Sequence, residues 1–197
     1  RGPKGLQRRV QAQRGQAGGG IDVQAPAAVL VAAEVQDVLR LDDIFVVFSQ
    51  VGVQGAIFLI IAAISALYWR RPAIFLYVLF GSLLADVLSL ILRHAIGRER
   101  PPLRFPDPEP LVRVPPNPAF PSGHAATAFA CAALLAWLTP LPKVPLFILA
   151  TLIAFSRVYV GVHYPLDAIG GAILGLAVAT ALRRLVEARR RSAQSPQ

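Results

Sequence analysis

Cysteine, methionine and charge are all scarce in this sequence of 197 residues. The single cysteine, Cys131, excludes an internal disulfide and a CxxC metal site. Charged residues make up 16% of the chain, against about 25% in ordinary soluble domains, and 55% of the residues are hydrophobic. A soluble enzyme and a disordered protein are therefore both disfavoured. Methionine is absent and the chain begins at Arg1, which predicts a fragment or a processed chain of one domain.

Acidic residues are also few, 11 against 20 basic ones, which gives a net charge of +9. This charge does not predict a nucleic-acid partner, because the cations lie between long apolar runs. Such runs predict an all-α, integral-membrane helical bundle, since about 20 apolar residues cross a bilayer. Five spans are clear in the sequence: 44–69, 73–92, 125–138, 143–155 and 165–182.

The two ends of the chain differ from its apolar centre. We predict a basic, disordered tail over residues 1–24, a membrane-embedded domain over 25–186 and a basic C-terminal tail over 187–197. Residues 25–41 have an amphipathic helical period and form either an interfacial helix or a sixth span. Three glycines in the last span predict close helix packing: Gly170, Gly171 and Gly175.

Basic residues also predict the orientation of the bundle. If the five spans alternate, Arg70, Arg71, Lys143 and the arginines that follow the last span share one side. That side is expected to be cytoplasmic. The loops 93–122 and 156–165 then lie on the outer side, and they hold most of the residues capable of chemistry.

Two polar clusters occur in the first of these loops. Arg93, Arg98 and Arg100 form either an interfacial basic patch or a phosphate clamp, because guanidinium groups bind phosphate oxygens in pairs. The second cluster, Pro121-Ser122-Gly123-His124, opens an apolar helix. Ser122 is a natural N-cap and Gly123 lets the backbone approach an anion at the helix start. The alternative is a capped helix with a surface histidine.

The third cluster begins at Ser156-Arg157 and ends at Asp167. Pro165 fits the first position of a helix, which places His163 just before it and Asp167 in its first turn. A carboxylate on one imidazole nitrogen leaves the other nitrogen free to attack, although a local structural hydrogen bond is the alternative. Two histidines on the same membrane face offer a nucleophile and a general acid. No set of His, Cys, Asp and Glu has metal-site spacing, so we expect neither a metal nor another cofactor.

Together the three clusters resemble the signature of the type-2 phosphatidic acid phosphatase superfamily, or lipid phosphate phosphatases. The family pattern is K-x6-R-P, then P-S-G-H, then S-R-x5-H-x3-D. The second and third parts are complete here, and the first has Arg93 where the family usually has lysine. The resemblance covers roughly residues 40–185. It implies a helical bundle with six spans in the membrane members of the family.

The resemblance also implies residue roles. His163 would be the nucleophile that forms a phosphohistidine, Asp167 would orient it, and His124 would protonate the leaving group. The phosphate would be held by Arg93, Arg100, Arg157, Ser122 and Gly123. Arg98 and Arg104, outside the motif, would contact either a second phosphate or lipid headgroups.

Together these expectations predict a metal-independent phosphatase that acts on lipid phosphates or diphosphates. We expect it to lie in the bilayer of a bacterial plasma membrane, with its active site on the outer face. Undecaprenyl diphosphate is the favoured substrate, and phosphatidic acid and phosphatidylglycerol phosphate are alternatives. Phosphotransfer through the same phosphohistidine also remains open. A non-enzymatic channel or interaction subunit is the alternative of another class. The sequence makes no prediction of oligomeric state.

Overall fold

The computed structural model describes residues 41–51, 55–105 and 110–194. Over these ranges the chain is helical and contains no strand, which confirms the predicted all-α class. The predicted N-terminal tail and the amphipathic segment 25–41 lie outside the described residues, except for Leu41. The helices are α1 (Asp42–Val51), α2 (Ala56–Tyr68), α3 (Ala73–Ile96), α4 (Pro101–Arg104), α5 (Gly123–Leu138), α6 (Lys143–Tyr159) and α7 (Pro165–Gln194).

Helix α5 forms the centre of the bundle, and it contacts α2, α3, α6 and α7. Ten of its sixteen residues are buried, and six of these are alanine or glycine. A helix that is apolar on every side is expected to be surrounded by other helices. Small side chains let four neighbours approach it, and larger ones such as Leu134 and Leu135 fill the core between them.

Two glycines allow the closest of these approaches, between α5 and α7. A Cβ atom at Gly171 would overlap the carbonyl oxygen of Ser122, and one at Gly175 would overlap that of Ala126. Gly170 serves a different neighbour, because a Cβ there would overlap the ring of Phe120. The predicted close packing is therefore present, with Gly171 and Gly175 at the helix crossing itself.

Two segments in the described part of the chain are long and apolar enough to cross a membrane. They are Ala73–Arg104 and Pro165–Ser192, with mean hydropathies of 2.3 and 1.7. The helices α2, α5 and α6 have 13, 16 and 17 residues. At about 1.5 Å per residue they reach only about 20–26 Å, short of the hydrocarbon thickness of about 30 Å. Five full-length spans are therefore not confirmed.

The predicted span 44–69 is wrong as a single helix. The chain forms α1 and α2 instead, and the residue before α2, Gly55, has a left-handed φ of 73°. A Cβ at Gly55 would stand 3.3 Å from both Ser82 and Cys131, so the backbone here runs close to α3 and α5. The absence of charge predicted a single span, but mean hydropathy does not register a break at Gly55, where glycine adopts a left-handed backbone without steric cost.

Large apolar side chains cover the outside of the bundle. On α3 they recur at alternating intervals of four and three residues, which places them along one exposed stripe. Surface apolar patches of this size are unusual for a water-soluble monomer and fit a helix that faces lipid. The α3 stripe consists of Leu76, Phe80, Leu83, Val87 and Leu90.

Alternating helix directions bring the polar loops to one end of the bundle. The end of α3, the start of α5, the end of α6 and the start of α7 meet there. The opposite end carries Arg70, Arg71 and Lys143, and Arg183 lies 6.0 Å from the Trp137 ring near the end of α5. The α7 helix also continues beyond the predicted span, through the arginine run to Gln194.

Candidate active site

The start of α7 holds a histidine and a carboxylate against each other. Pro165 begins the helix, so His163 precedes it and Asp167 lies in its first turn. Asp167 is fully buried, and its Oδ2 lies 3.4 Å from His163 Nδ1 and accepts a 2.9 Å hydrogen bond from the Tyr164 amide. The carboxylate thus caps the helix and contacts the imidazole at once.

The other imidazole nitrogen of His163 faces an arginine. Arg100 Nη1 lies 3.1 Å from His163 Nε2. A guanidinium only donates hydrogen bonds, so these partners assign the lone pair to Nε2 and the proton to Nδ1. Burial, together with the charge of Arg100, lowers the pKa of His163 from 6.5 to about 4, although the hydrogen bond to Asp167 opposes this shift. The ring is therefore neutral at neutral pH, and its Nε2 lone pair accepts the hydrogen bond from Arg100.

Arg100 itself is only 1% exposed and is held by loop backbone and one amide side chain. Its Nε donates to the Asn117 carbonyl at 2.8 Å, its Nη2 to Asn117 Oδ1 at 2.6 Å, and its Nη1 to the Val162 carbonyl at 2.9 Å. Asn117 stands in a proline-rich stretch without a recognisable motif, and sequence reasoning missed it. No spacing signal could have identified it.

Arg93 emerges from the end of α3 and lies against the start of α5. Its Nη2 donates a 2.9 Å hydrogen bond to Ser89 Oγ and lies 3.7 Å from Asp86 Oδ1. Asp86 and Arg93 lie two helical turns apart on one face of α3, and this spacing brings the two side chains together. A Cβ at Gly123 would stand 2.6 Å from Arg93 Nη2, so a larger residue here would displace the guanidinium from its present position.

Three buried polar atoms in the described part of the chain have no hydrogen-bond partner: Ser122 Oγ, His124 Nε2 and Arg157 Nε. Ser122 does occupy the N-cap position of α5, but its hydroxyl makes no capping bond, so that part of the prediction is wrong. Buried polar groups are normally paired, and leaving one unpaired costs about 1–3 kcal/mol. All three atoms belong to the sequence motifs, which is the pattern expected of a polar ligand site.

Arg157 is hydrogen-bonded to α1, a helix that contains no motif residue. Its Nη1 donates to the hydroxyl of Ser49 on α1. The same face of α1 packs on the end of α6, where the Phe45 and Tyr159 rings lie 4.3 Å apart and Asp42 accepts a 2.9 Å bond from the Tyr159 hydroxyl. Sequence reasoning missed Ser49, because a lone serine in an apolar run carries no recognisable signal.

The structure brings all the predicted site residues to one end of the bundle. Electrostatic interactions link His124 to His163 and to Arg93, Arg100 and Arg157. His94, by contrast, is exposed, and its Nδ1 lies 2.9 Å from the Leu90 carbonyl oxygen one turn back. Arg98 ion-pairs with Asp167 at 3.0 Å, a contact that the sequence analysis did not predict. Over the described ranges no group of three or more His, Cys, Asp and Glu is placed to hold a metal.

The sequence model of the PAP2 superfamily matches residues 74–191, which is more than half of the chain. The chain therefore belongs to the PAP2 superfamily, and the resemblance found in its three motifs is confirmed. This region contains every motif residue, whereas α1 and α2 precede it.

Two curated relatives are similar to this chain in sequence over part of their length. The decaprenylphosphoryl-5-phosphoribose phosphatase of Mycolicibacterium smegmatis is 38% identical over 91 residues, which are 46% of this chain and 48% of that protein. The undecaprenyl-diphosphatase of Sulfolobus acidocaldarius is 31% identical over 140 residues, 70% of this chain and 67% of that protein. The chain thus spans about half the length of the first relative and two thirds of the second.

Two solved structures share the fold. A transmembrane PAP2 type phosphatidylglycerolphosphate phosphatase from Bacillus subtilis superimposes with a TM-score of 0.68 at 23% identity, over 94% of this chain and 96% of that one. LpxE from Aquifex aeolicus gives a TM-score of 0.61 at 26% identity, over 77% and 91% of the two chains. The first likeness, at this low identity, concerns the fold alone.

Proposed function

We propose that this chain is a lipid phosphatase that transfers the phosphate of its substrate to His163 and then to water. The observation that carries the proposal is the state of the His163 ring. Its Nε2 lone pair faces Arg100, and its Nδ1 is backed by the buried Asp167. A phosphate anion that takes over the hydrogen bond from Arg100 would leave the Nε2 lone pair free to attack phosphorus, while Asp167 holds the proton on Nδ1.

The first step breaks the bond between phosphorus and the lipid oxygen. His163 Nε2 attacks phosphorus, the N–P bond forms, and the electron pair of the broken bond goes to the leaving oxygen. Binding of the phosphate anion beside His124 favours its protonation against the neighbouring arginines. His124 then donates this proton to the leaving oxygen. Asp167 stabilises the positive charge that develops on the His163 ring, which keeps its proton on Nδ1.

Water completes the cycle in a second step. Neutral His124 accepts a proton from water as the oxygen attacks phosphorus, and the N–P electron pair returns to His163 Nε2. The products are inorganic phosphate and a His124 that is protonated again. For a diphosphate the leaving group is the lipid monophosphate, and the proton balance is the same.

Three arginines supply positive charge to the phosphate oxygens. Arg93, Arg100 and Arg157 converge on the histidine pair, and Arg157 Nε and Ser122 Oγ are buried atoms ready to donate. Gly123 lets the start of α5 approach the same position, where backbone amides favour an anion. In this proposal the arginines stabilise the charge of the transition state, a role that a metal ion fills in other phosphatases.

Undecaprenyl diphosphate is the substrate we propose first. Its support comes from two relatives whose names specify polyprenyl phosphates, while phosphatidylglycerol phosphate and phosphatidic acid are the alternatives. The flanking cations Arg70, Arg71 and Lys143 and the arginine run of α7 lie at the end opposite the site, so the positive-inside rule favours an active site on the outer face of a bacterial plasma membrane. Cysteine labelling of positions 112–118 from outside, and not from the cytoplasm, is the expected result.

Phosphate release from undecaprenyl diphosphate tests the function, with detergent-purified protein and EDTA present. His163→Ala and Asp167→Asn should each lower the rate by orders of magnitude, and His124→Ala by about 10²–10⁴-fold as expected for loss of a general acid. His94→Ala is the matched control, since this exposed histidine lies outside the site. Wild-type turnover by a folded His163→Ala protein would refute the mechanism. Activity only on phosphatidylglycerol phosphate or phosphatidic acid would refute the proposed substrate and leave the mechanism standing.

A further inference from the structure

We propose that Arg98 is a positioning residue that fixes the Asp167 carboxylate behind His163; this inference rests on the proposed function. Arg98 falls inside the six-residue interval between Arg93 and Arg100, which the motif leaves unspecified. From the sequence alone, Arg98 was expected to contact either a second phosphate or lipid headgroups. The geometry points instead to the acid of the catalytic pair.

The two oxygens of Asp167 have separate partners. Oδ1 receives Arg98 Nη1 at 3.0 Å, while Oδ2 faces His163 Nδ1 at 3.4 Å and the Tyr164 amide at 2.9 Å. The carboxylate is fully buried, so a rotation about its terminal bond would break bonds on both sides. Arg98 therefore supplies the contact that keeps Oδ2 directed at the imidazole.

The backbone and a ring hold Arg98 in this position. Gly97, with a left-handed φ of 67°, ends α3 and turns the chain. The Arg98 carbonyl then accepts a 2.7 Å bond from the Ala119 amide. Its guanidinium lies 4.2 Å from the centre of the Tyr164 ring, a cation–π distance. Arg98 is thus fixed at the backbone, at the ring and at the carboxylate.

Charge gives the second reason for an arginine here. A buried carboxylate without a cation partner is costly and takes up a proton more readily. Arg98 is the group in direct ion-pair contact with Asp167, and Arg100 and Arg157 act on the His163–Asp167 pair from the other side of the imidazole. In the proposed mechanism Asp167 offsets the positive charge of the phosphohistidine ring, and the ion pair with Arg98 holds the carboxylate in place for this role.

Kinetics with two lipids that share one tail test this role. With farnesyl phosphate and farnesyl diphosphate, Arg98→Gln should lower kcat by about 10–100-fold on both, as expected for loss of a hydrogen bond to a charged group. KM should change little. The acid limb of kcat/KM should move to higher pH, and Arg98→Lys should restore much of the rate. Arg113→Gln, which removes an exposed arginine of a nearby loop, should behave as wild type.

Three kinetic outcomes would overturn the inference. A loss confined to the diphosphate and expressed in KM would make Arg98 a contact of the second phosphate. An equal loss with an unchanged pH profile and no rescue by lysine would indicate a merely structural role. Wild-type kinetics in Arg98→Gln would leave it no role in the reaction.

An NMR measurement tests the same inference without turnover. The chain has only three histidines, so the ring nitrogens of His163 can be assigned with His94→Gln and His124→Gln variants. In ¹⁵N-labelled protein we expect wild-type His163 to carry its proton on Nδ1, and Arg98→Gln to shift it toward a mixture of tautomers. This shift in a protein that hydrolyses neither lipid would sustain the inference while the proposed function fails. An unshifted tautomer in an active enzyme would refute the inference alone.

Discussion

A methyl group added at Gly171 is expected to disturb the active site through the helix crossing beneath it. The Cβ of Gly171→Ala would overlap the Ser122 carbonyl and stand 2.9 Å from the Cβ of Ala125. An ordinary carbon–carbon contact is about 3.5–4.0 Å, so α5 and α7 must separate by about 0.6–1.1 Å at this level. The Ser122 amide also donates a 2.9 Å bond to the Asp167 carbonyl, and the same separation stretches this bond.

The separation has a cost in stability and a larger cost in rate. Overpacking of this kind destabilises a folded protein by about 1–3 kcal/mol. A displacement of about 1 Å between catalytic groups can lower the rate about 10²-fold. Because Ser122 and His124 move with α5 while Asp167 moves with α7, we expect a loss of about that size in kcat/KM.

Phosphate release and thermal unfolding, measured in the same detergent, check both parts. Gly175→Ala is the comparison, since its Cβ would overlap the Ala126 carbonyl one turn further from the site. It should lower stability by a similar amount but retain more activity. Ile173→Val, on the exposed face of α7, should change neither. Wild-type activity and stability in Gly171→Ala would refute the reasoning.

Two further predictions concern groups at the site. Burial lowers the pKa of His163 to about 4 in the folded state, against 6.5 in the unfolded state. The contribution of this histidine to the free energy of unfolding should therefore be fully present above pH 6.5 and fall by about 3 kcal/mol as the pH drops to about 4. Chemical unfolding across this range measures it, and His163→Gln should flatten the slope. Ser49→Ala should raise KM for a lipid phosphate about 3–30-fold through loss of a hydrogen bond to Arg157; an unchanged KM would show that Arg157 is held without it.

The sequence predicted what depends on spacing along one helix. The approach of Asp167 to His163 follows from a proline at the helix start and an interval of four residues. The pairing of Asp86 with Arg93 follows from two helical turns. The helix-facing glycines of α7 could also be recognised, because they recur on one face of an apolar helix.

What the sequence left open depends on contacts between distant segments. Residues 50–55 include two glutamines and two glycines but no charged residue, so an argument from charge and mean hydropathy alone did not distinguish two short helices from one long one. Asn117 reaches Arg100 only because a loop folds back over it. Arg98 was recognised as a cation at the right end of the bundle, but its partner lies 69 residues away and was decided by the turn at Gly97.

The bond between Ser49 and Arg157 carries a consequence for how enzymes of this kind can diverge. Helix α1 precedes the region that matches the superfamily model. Near its end, Ser49 nevertheless accepts a hydrogen bond from Arg157, one of the three motif arginines. If Arg157 binds phosphate as proposed, substitutions in Asp42–Val51 should change the affinity for phosphate while every motif residue stays the same. Two proteins with identical motifs need not share a substrate affinity, and exchanging this one helix between them should exchange part of the difference.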